Sequence, residues 1–239
     1  MNSQWNNQTI TAHRQGVSLS NATFMSRVYF WMMLGLLITG CVAYQVANTP
    51  DMAHYLYTHT FLLIALIILQ LGAVIALSAA IQRMSATLSI AIYVAYAALT
   101  GITFSSIFLV YTAQSISQVF FITAFAFTGL SLFGYATKRD LGPVGSFCMT
   151  GLFGLIGFML IAMIFPSIQT NAVSLTINTL GILIFAGLTA YDTQRIKGFN
   201  VPGASGEMLR KLSIQGALAL YLDFINLFLN LLRLFGDRR

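Results

Sequence analysis

Asp223 stands in the middle of the apolar run ALALYLDFINLFLNLLRLF, residues 217–235, where bilayer hydrocarbon is expected. A carboxylate at that depth costs about 2.5–3.5 kcal/mol on insertion scales, which marks it as a functional-site candidate. No Lys or Arg lies three or four residues away on the same helix, so its partner must come from another helix, from water or from a proton. Asp192 is the other acid embedded in an apolar run, in the segment Gly187-Leu-Thr-Ala-Tyr-Asp-Thr-Gln-Arg195. There Arg195, three residues on, offers an ordinary interfacial ion pair worth only a few tenths of a kcal/mol. If the two carboxyls meet in a low-dielectric interior, they cannot both be ionised cheaply, and a shared proton would link their helices. Losing it would set two negative charges against each other, which tends to separate the helices or to draw a cation between them. That chemistry is a pH-dependent gate with weak calcium binding at Asp192 and Asp223. Two acids are few for tight calcium binding, which normally takes about six to eight oxygens, so a leak fits better than a pump.

Plotted at about 100° per residue, Gln215, Ala219, Asp223, Asn226, Asn230 and Arg233 fall within a sector of roughly 80° on the last apolar helix. A helix with such a stripe cannot turn it to lipid without leaving amides and carboxyls unpaired. It should be surrounded by other helices or line a water-filled cavity, which makes it central. The same arithmetic puts Asn178, Thr189 and Asp192 on one face of the preceding helix. Asn226 and Asn230 alone would read as a hydrogen-bonded seam that only fixes packing; Asp223 turns the reading toward function.

The elements that must position these residues follow from composition. The chain of 239 residues is 57% hydrophobic and only 8% charged, with a mean hydropathy of +0.80; soluble domains carry about 25% charged residues. This predicts an all-α integral membrane protein. Spans of about 20 apolar residues fit near 28–48, 61–82, 86–110, 116–137, 144–165, 174–195 and 212–235, giving a seven-helix bundle. Residues 1–26 are polar and lack a signal-peptide pattern, so they read as a cytoplasmic tail ahead of one transmembrane domain, 27–239. Arg83, Lys138, Arg139, Arg195, Lys197, Arg210 and Lys211 occupy alternate loops, which puts the N-terminus inside by the positive-inside rule. Seven spans then put the C-terminus outside, against the rule for Arg233, Arg238 and Arg239. Either the upstream charges override these arginines or the last helix does not fully cross.

The basic balance, in a membrane chain, reads as topology signal and anionic headgroups and not as a nucleic-acid surface. Cys41 and Cys148 lie within apolar runs without a CxxC, so neither a disulfide frame nor a metal site is implied. Lys138, Lys197 and Lys211 all fall in loops, which disfavours a retinal Schiff base. Gly151, Gly154 and Gly157 suggest a smooth groove for a neighbouring helix. His13 falls in the tail and His54 and His59 in the outer loop with Asp51, as exposed residues.

The segments Ala190-Tyr191-Asp192-Thr193-Gln194 and Ala219-Leu-Tyr-Leu-Asp-Phe-Ile-Asn-Leu-Phe-Leu-Asn-Leu-Leu-Arg233 with Phe235-Gly236 resemble the BAX inhibitor-1 family (transmembrane BAX inhibitor motif proteins), its bacterial branch in particular. Length, layout and the Lys138-Arg139-Asp140 loop extend the likeness over nearly the whole chain after the tail. The resemblance implies seven helices, the last wrapped by the other six, and an aspartate pair, here Asp192 and Asp223, that senses pH and gates a calcium leak in the bacterial inner (plasma) membrane. Where some members carry an acid in the second helix, this chain has Gln70. The supporting polar residues of such an ion pathway are then Asn226, Asn230, Gln215, Thr189, Asn178, Gln70 and Arg195. No cofactor is expected, with calcium as permeant ion. The alternative is a non-catalytic regulator that binds a membrane protease or other membrane protein. An aspartyl protease is disfavoured: its second motif is Gly-x-Gly-Asp, whereas Asp223 follows Tyr221-Leu222. Active transport lacks a nucleotide motif and a clear internal repeat.

Overall fold

Within hydrocarbon every backbone N–H and C=O must be paired inside its own segment, so apolar runs of this length form helices. The computed structural model describes the backbone of residues 2–200 and 203–239, with side chains from Ser20 onward except at 53, 54, 57, 60, 201 and 202. The helices are α1 (Asn2–Ala47), α2 (Pro50–Thr58), α3 (Thr60–Ala79), α4 (Ala86–Val110), α5 (Ala113–Ala136), α6 (Gly142–Ile164), α7 (Asn171–Lys197) and α8 (Gly206–Phe235). Among the described residues seven stretches are long and apolar enough to cross a membrane, one in each helix except α2. Their starts are set by local chemistry. Ser85, Thr112, Thr170 and Ser205 each accept a backbone N–H three residues on, capping α4, α5, α7 and α8, a pairing worth about 1 kcal/mol each. Pro143 and Pro166 fall in first turns, where the missing N–H is harmless.

The expected tail falls mostly on residues 1–19, whose side chains lie outside the described residues, as do those of His13 and His54. From Ser20 the chain belongs to the first span, and Phe24, Met25, Val28 and Met32 are buried on one face of α1. The loop between the first two spans contains the short helix α2, begun by Pro50. His59 ends it, with its Nδ1 2.8 Å from the Tyr55 carbonyl oxygen.

The last helix is central. In its most apolar stretch 61% of α8 is buried, against 6% for α3, and it packs on α1, α3, α4, α5 and α7. Since lipid tails are as apolar as leucine, this packing rests on close contact and on hydrogen bonds between helices. Thr39 donates its one hydroxyl proton to the Ala97 carbonyl at 2.9 Å, so the Tyr221 hydroxyl, 2.7 Å away, must donate to Thr39. Tyr221 also meets the rings of Tyr93 and Tyr96 edge-on, which locks α1, α4 and α8 together. Gly134 of α5 lies so close to the Ala190 backbone of α7 that no side chain fits between them. The glycine groove expected on α6 is used only in part: Gly151 abuts Ile184, whereas Gly154 and Gly157 face open space. Close contacts of α6 on α7 come instead at Gly145, under the Tyr191 ring, and where Cys148 meets Gly187.

Two sets of contacts fix where α8 begins and ends. Lys211 Nζ donates to the Gln82 and Met84 carbonyls at 3.2 and 3.1 Å, pinning the start of α8 to the α3–α4 connection. At the far end Thr112 N donates to Asp237 O at 3.2 Å and Arg239 N to Val110 O at 2.9 Å, around an antiparallel bridge between Tyr111 and Arg238. Because α4 separates these two connections, α8 traverses the whole bundle. The C-terminal arginines therefore lie at the end opposite Arg83 and Lys211, and the reading in which the last helix stops short is excluded.

Candidate functional site

The motif around Asp192 separates into packing residues and one acid left for the interior. Ala190 lies against Gly134 and Tyr191 against Gly145. Thr193 donates to the Thr189 carbonyl at 2.8 Å and so accepts from Ser131 at 3.1 Å. Gln194 accepts from Leu141 N at 2.9 Å and donates to Arg139 O at 2.8 Å, fixing the α5–α6 loop. Asp192 alone turns into a cavity of about 730 Å³ bounded by α3, α4, α6, α7 and α8.

Asp223 lines the same cavity from α8. It is 4% exposed, and its Oδ2 has no hydrogen-bond partner among the described residues. Asp192 faces it across the same cavity from α7. Its own pair with Arg195 is loose, a single Oδ1–Nη1 contact of 3.9 Å to a guanidinium 56% exposed; such pairs contribute little. Asp192 is thus held in place without being neutralised.

Of the other residues expected here, Gln70, Arg195, Gln215, Asn226 and Asn230 line the cavity, joined by Arg233. Thr189 and Asn178 do not. Thr189 is fully buried and donates to the Phe185 carbonyl at 2.7 Å, and Asn178 is buried outside the cavity wall. Their shared phase with Asp192 placed them on roughly the right face, but the packing of α5 and α8 against α7 covers it. The cavity's striped edge on α8 runs from Gln215 to Arg233, roughly 27 Å at 1.5 Å per residue, close to the thickness of a bilayer core.

The four amides of this lining share an orientation. Asn226 Nδ2 donates to Leu222 O at 2.8 Å, Asn230 Nδ2 to Asn226 O at 2.7 Å, Gln215 Nε2 to Ser78 O at 3.1 Å and Gln70 Nε2 to Leu99 O at 3.4 Å. A carbonyl can accept only from the NH₂ end, so these partners fix the orientation of each amide. What each amide has left is its carbonyl oxygen and, at Gln215, Asn226 and Asn230, a second N–H. Between Arg195 near one end and Arg233 near the other, the charged side chains of the cavity are the two carboxylates. The arrangement suits a cation, and the cavity's cationic side chains, Arg195 and Arg233, lie toward its ends. Among the described residues no three His, Cys, Asp or Glu side chains are grouped to hold a metal ion, so a cation here would rest on two carboxylates and amide oxygens.

Sequence reasoning missed Tyr96 and Ser78, which also line the cavity, and the apolar walls on α3 and α6. Nothing in those runs distinguishes a cavity-facing Leu or Met from a lipid-facing one.

A helical membrane protein of seven apolar spans, its central helix presenting an acid to an internal cavity, is the class that fold and site define. The chain belongs to the BAX inhibitor family: the family model described as "Inhibitor of apoptosis-promoting Bax1" matches residues 21–239. It is 48% identical to the inner membrane protein YbhL of Escherichia coli over 91% of this chain and 92% of that one. An uncharacterized protein of Borreliella burgdorferi is 38% identical over 96% and 98% of the two chains. A Streptococcus pyogenes relative, named an uncharacterized membrane protein, is 31% identical over 89% and 92%.

Proposed function

We propose that the protein is a passive, pH-sensitive cation leak, with calcium as permeant ion, in a bacterial inner membrane with the N-terminus cytoplasmic. The observation that carries the reading is the pair of carboxylates, Asp192 and Asp223, that line one cavity, with four amide side chains whose N–H₂ groups turn to backbone carbonyls and leave their oxygens as acceptors. Such a lining replaces part of a cation's hydration shell, and its carboxylates repel an anion. The location follows the inner-membrane relative and the basic loops.

The gate is the Asp192–Asp223 pair. The other charged or titratable groups facing the cavity are Arg195 of α7, Arg233 of α8 and Tyr96 of α4; α3 and α6 add none. With a proton shared, α7 and α8 stay together. When that proton leaves, repulsion between the carboxylates favours a cation between them or a separation of the helices. Flux therefore rises with pH. Calcium entry into liposomes holding the purified protein, across roughly pH 5 to 8, tests this with Asp192→Asn and Asp223→Asn. A pH-dependent flux that either substitution flattens supports the leak. Folded protein that passes no more calcium than empty liposomes at any pH overturns it and favours the regulator that binds a membrane protease or another membrane protein.

A further inference from the structure

A bare cation does not account for the shape of this cavity. Its volume of about 730 Å³ lies within the roughly 300–1,000 Å³ typical of sites for organic molecules. Its polar groups are gathered mainly on α7 and α8, whereas Leu71 and Val74 of α3 and Leu152, Ile156 and Met159 of α6 present hydrocarbon to the opposite side. An ion passing Asp223 would meet oxygen on one flank and methyl groups on the other. Several of the wall residues are also open to the outside: Leu71 is 59% exposed, Ile156 44% and Met159 48%. The gap between α3 and α6 therefore gives access from the side, at the depth of the lipid tails.

We infer that this cavity binds an amphiphilic organic cation, a primary ammonium head on an alkyl tail, that enters from the bilayer between α3 and α6. The ammonium carries three N–H donors and no acceptor, the complement of the Asp223 carboxylate, the loosely paired Asp192 and the amide oxygen of Asn226. The tail lies along Leu152, Ile156 and Met159. A fatty acid or a phosphate head would set its negative charge against the two carboxylates. The bilayer itself concentrates such a ligand by about 0.8 kcal/mol per buried CH₂, so the cavity need supply only selectivity for the charged head. The ligand would share the cavity with the permeant ion, but its binding does not require that the protein conduct.

The test uses full-length protein in nanodiscs of zwitterionic lipid and dodecylamine carrying a photoreactive diazirine on its tail, with labelled residues mapped by mass spectrometry. Labelling is expected on α3 and α6 at the cavity wall. Excess dodecylamine should suppress it, and dodecanol, with the same tail and no charge, should not. Asp223→Asn should lower it about tenfold, the worth of one modest charge interaction. Met159→Trp, which fills the wall and leaves both acids in place, should lower it similarly, and this variant serves if Asp223→Asn fails to fold. Labelling spread evenly over lipid-facing Phe121, Phe125 and Phe147, equal competition by dodecanol, or no change in a folded variant overturns the inference. Calcium flux with the same preparations fails or succeeds separately.

Discussion

Replacing Asp223 by asparagine should make the protein more stable while removing its pH response. The side chain is 4% exposed, its Oδ2 is without a hydrogen bond among the described residues, and a second acid, Asp192, lines the same cavity. A buried acceptor left unpaired costs about 1–3 kcal/mol, more when charged. Asparagine keeps the shape, removes the charge and supplies an N–H₂ that can donate toward Asp192. The expected gain is therefore about 1–3 kcal/mol, or roughly 5- to 150-fold in the folding equilibrium. Its pH dependence has a definite sign. At acid pH both wild-type acids can hold protons, the repulsion is absent, and the two proteins differ little. As pH rises the wild type must ionise the pair or keep a proton on it, the variant need not, and the difference grows. Reversible unfolding in mixed micelles with increasing dodecyl sulfate, measured near pH 5 and pH 8, reads both quantities. A folded variant less stable than wild type at both pH values would refute the reasoning, because it would make Asp223 a satisfied packing group whose partner the substitution breaks.

Three further outcomes follow from contacts away from the acids. Lys211→Met removes both donors to the Gln82 and Met84 carbonyls from a lysine only 8% exposed. It should cost about 2 kcal/mol or more and speed tryptic cleavage at Arg83; unchanged stability would show that the clamp is idle. Gly134→Ala drives a methyl into the Ala190 backbone and should cost about 1–3 kcal/mol, whereas Gly154→Ala, with open space at the same atom, should be neutral or slightly stabilising; unfolding midpoints of the pair check both. Deleting Asp237–Arg239 removes the partner of Thr112 N, so hydrogen exchange at that amide should quicken about tenfold or more, with exchange in the middle of α8 unchanged.

The amino-acid sequence by itself determined the seven apolar spans, the alternation of basic loops, the polar stripe of the last helix and the two embedded acids. Each is a property of one segment: apolar length decides what can cross, and helical phase decides which residues share a face. The central place of α8 followed for the same reason, since a stripe holding Asp223, Asn226 and Asn230 has nowhere in lipid to point. Phase does not say what stands opposite a face, and there the tertiary structure decided. It covered Thr189 and Asn178 with neighbouring helices, left Gly154 and Gly157 open, and set the apolar walls of α3 and α6 across from Asp223. It also carried α8 across to the α4–α5 connection, which charge counting left open because Arg233, Arg238 and Arg239 argued against it. Contacts between helices depend on where backbones approach, as Gly134 does Ala190, and no periodicity within a single run encodes that distance.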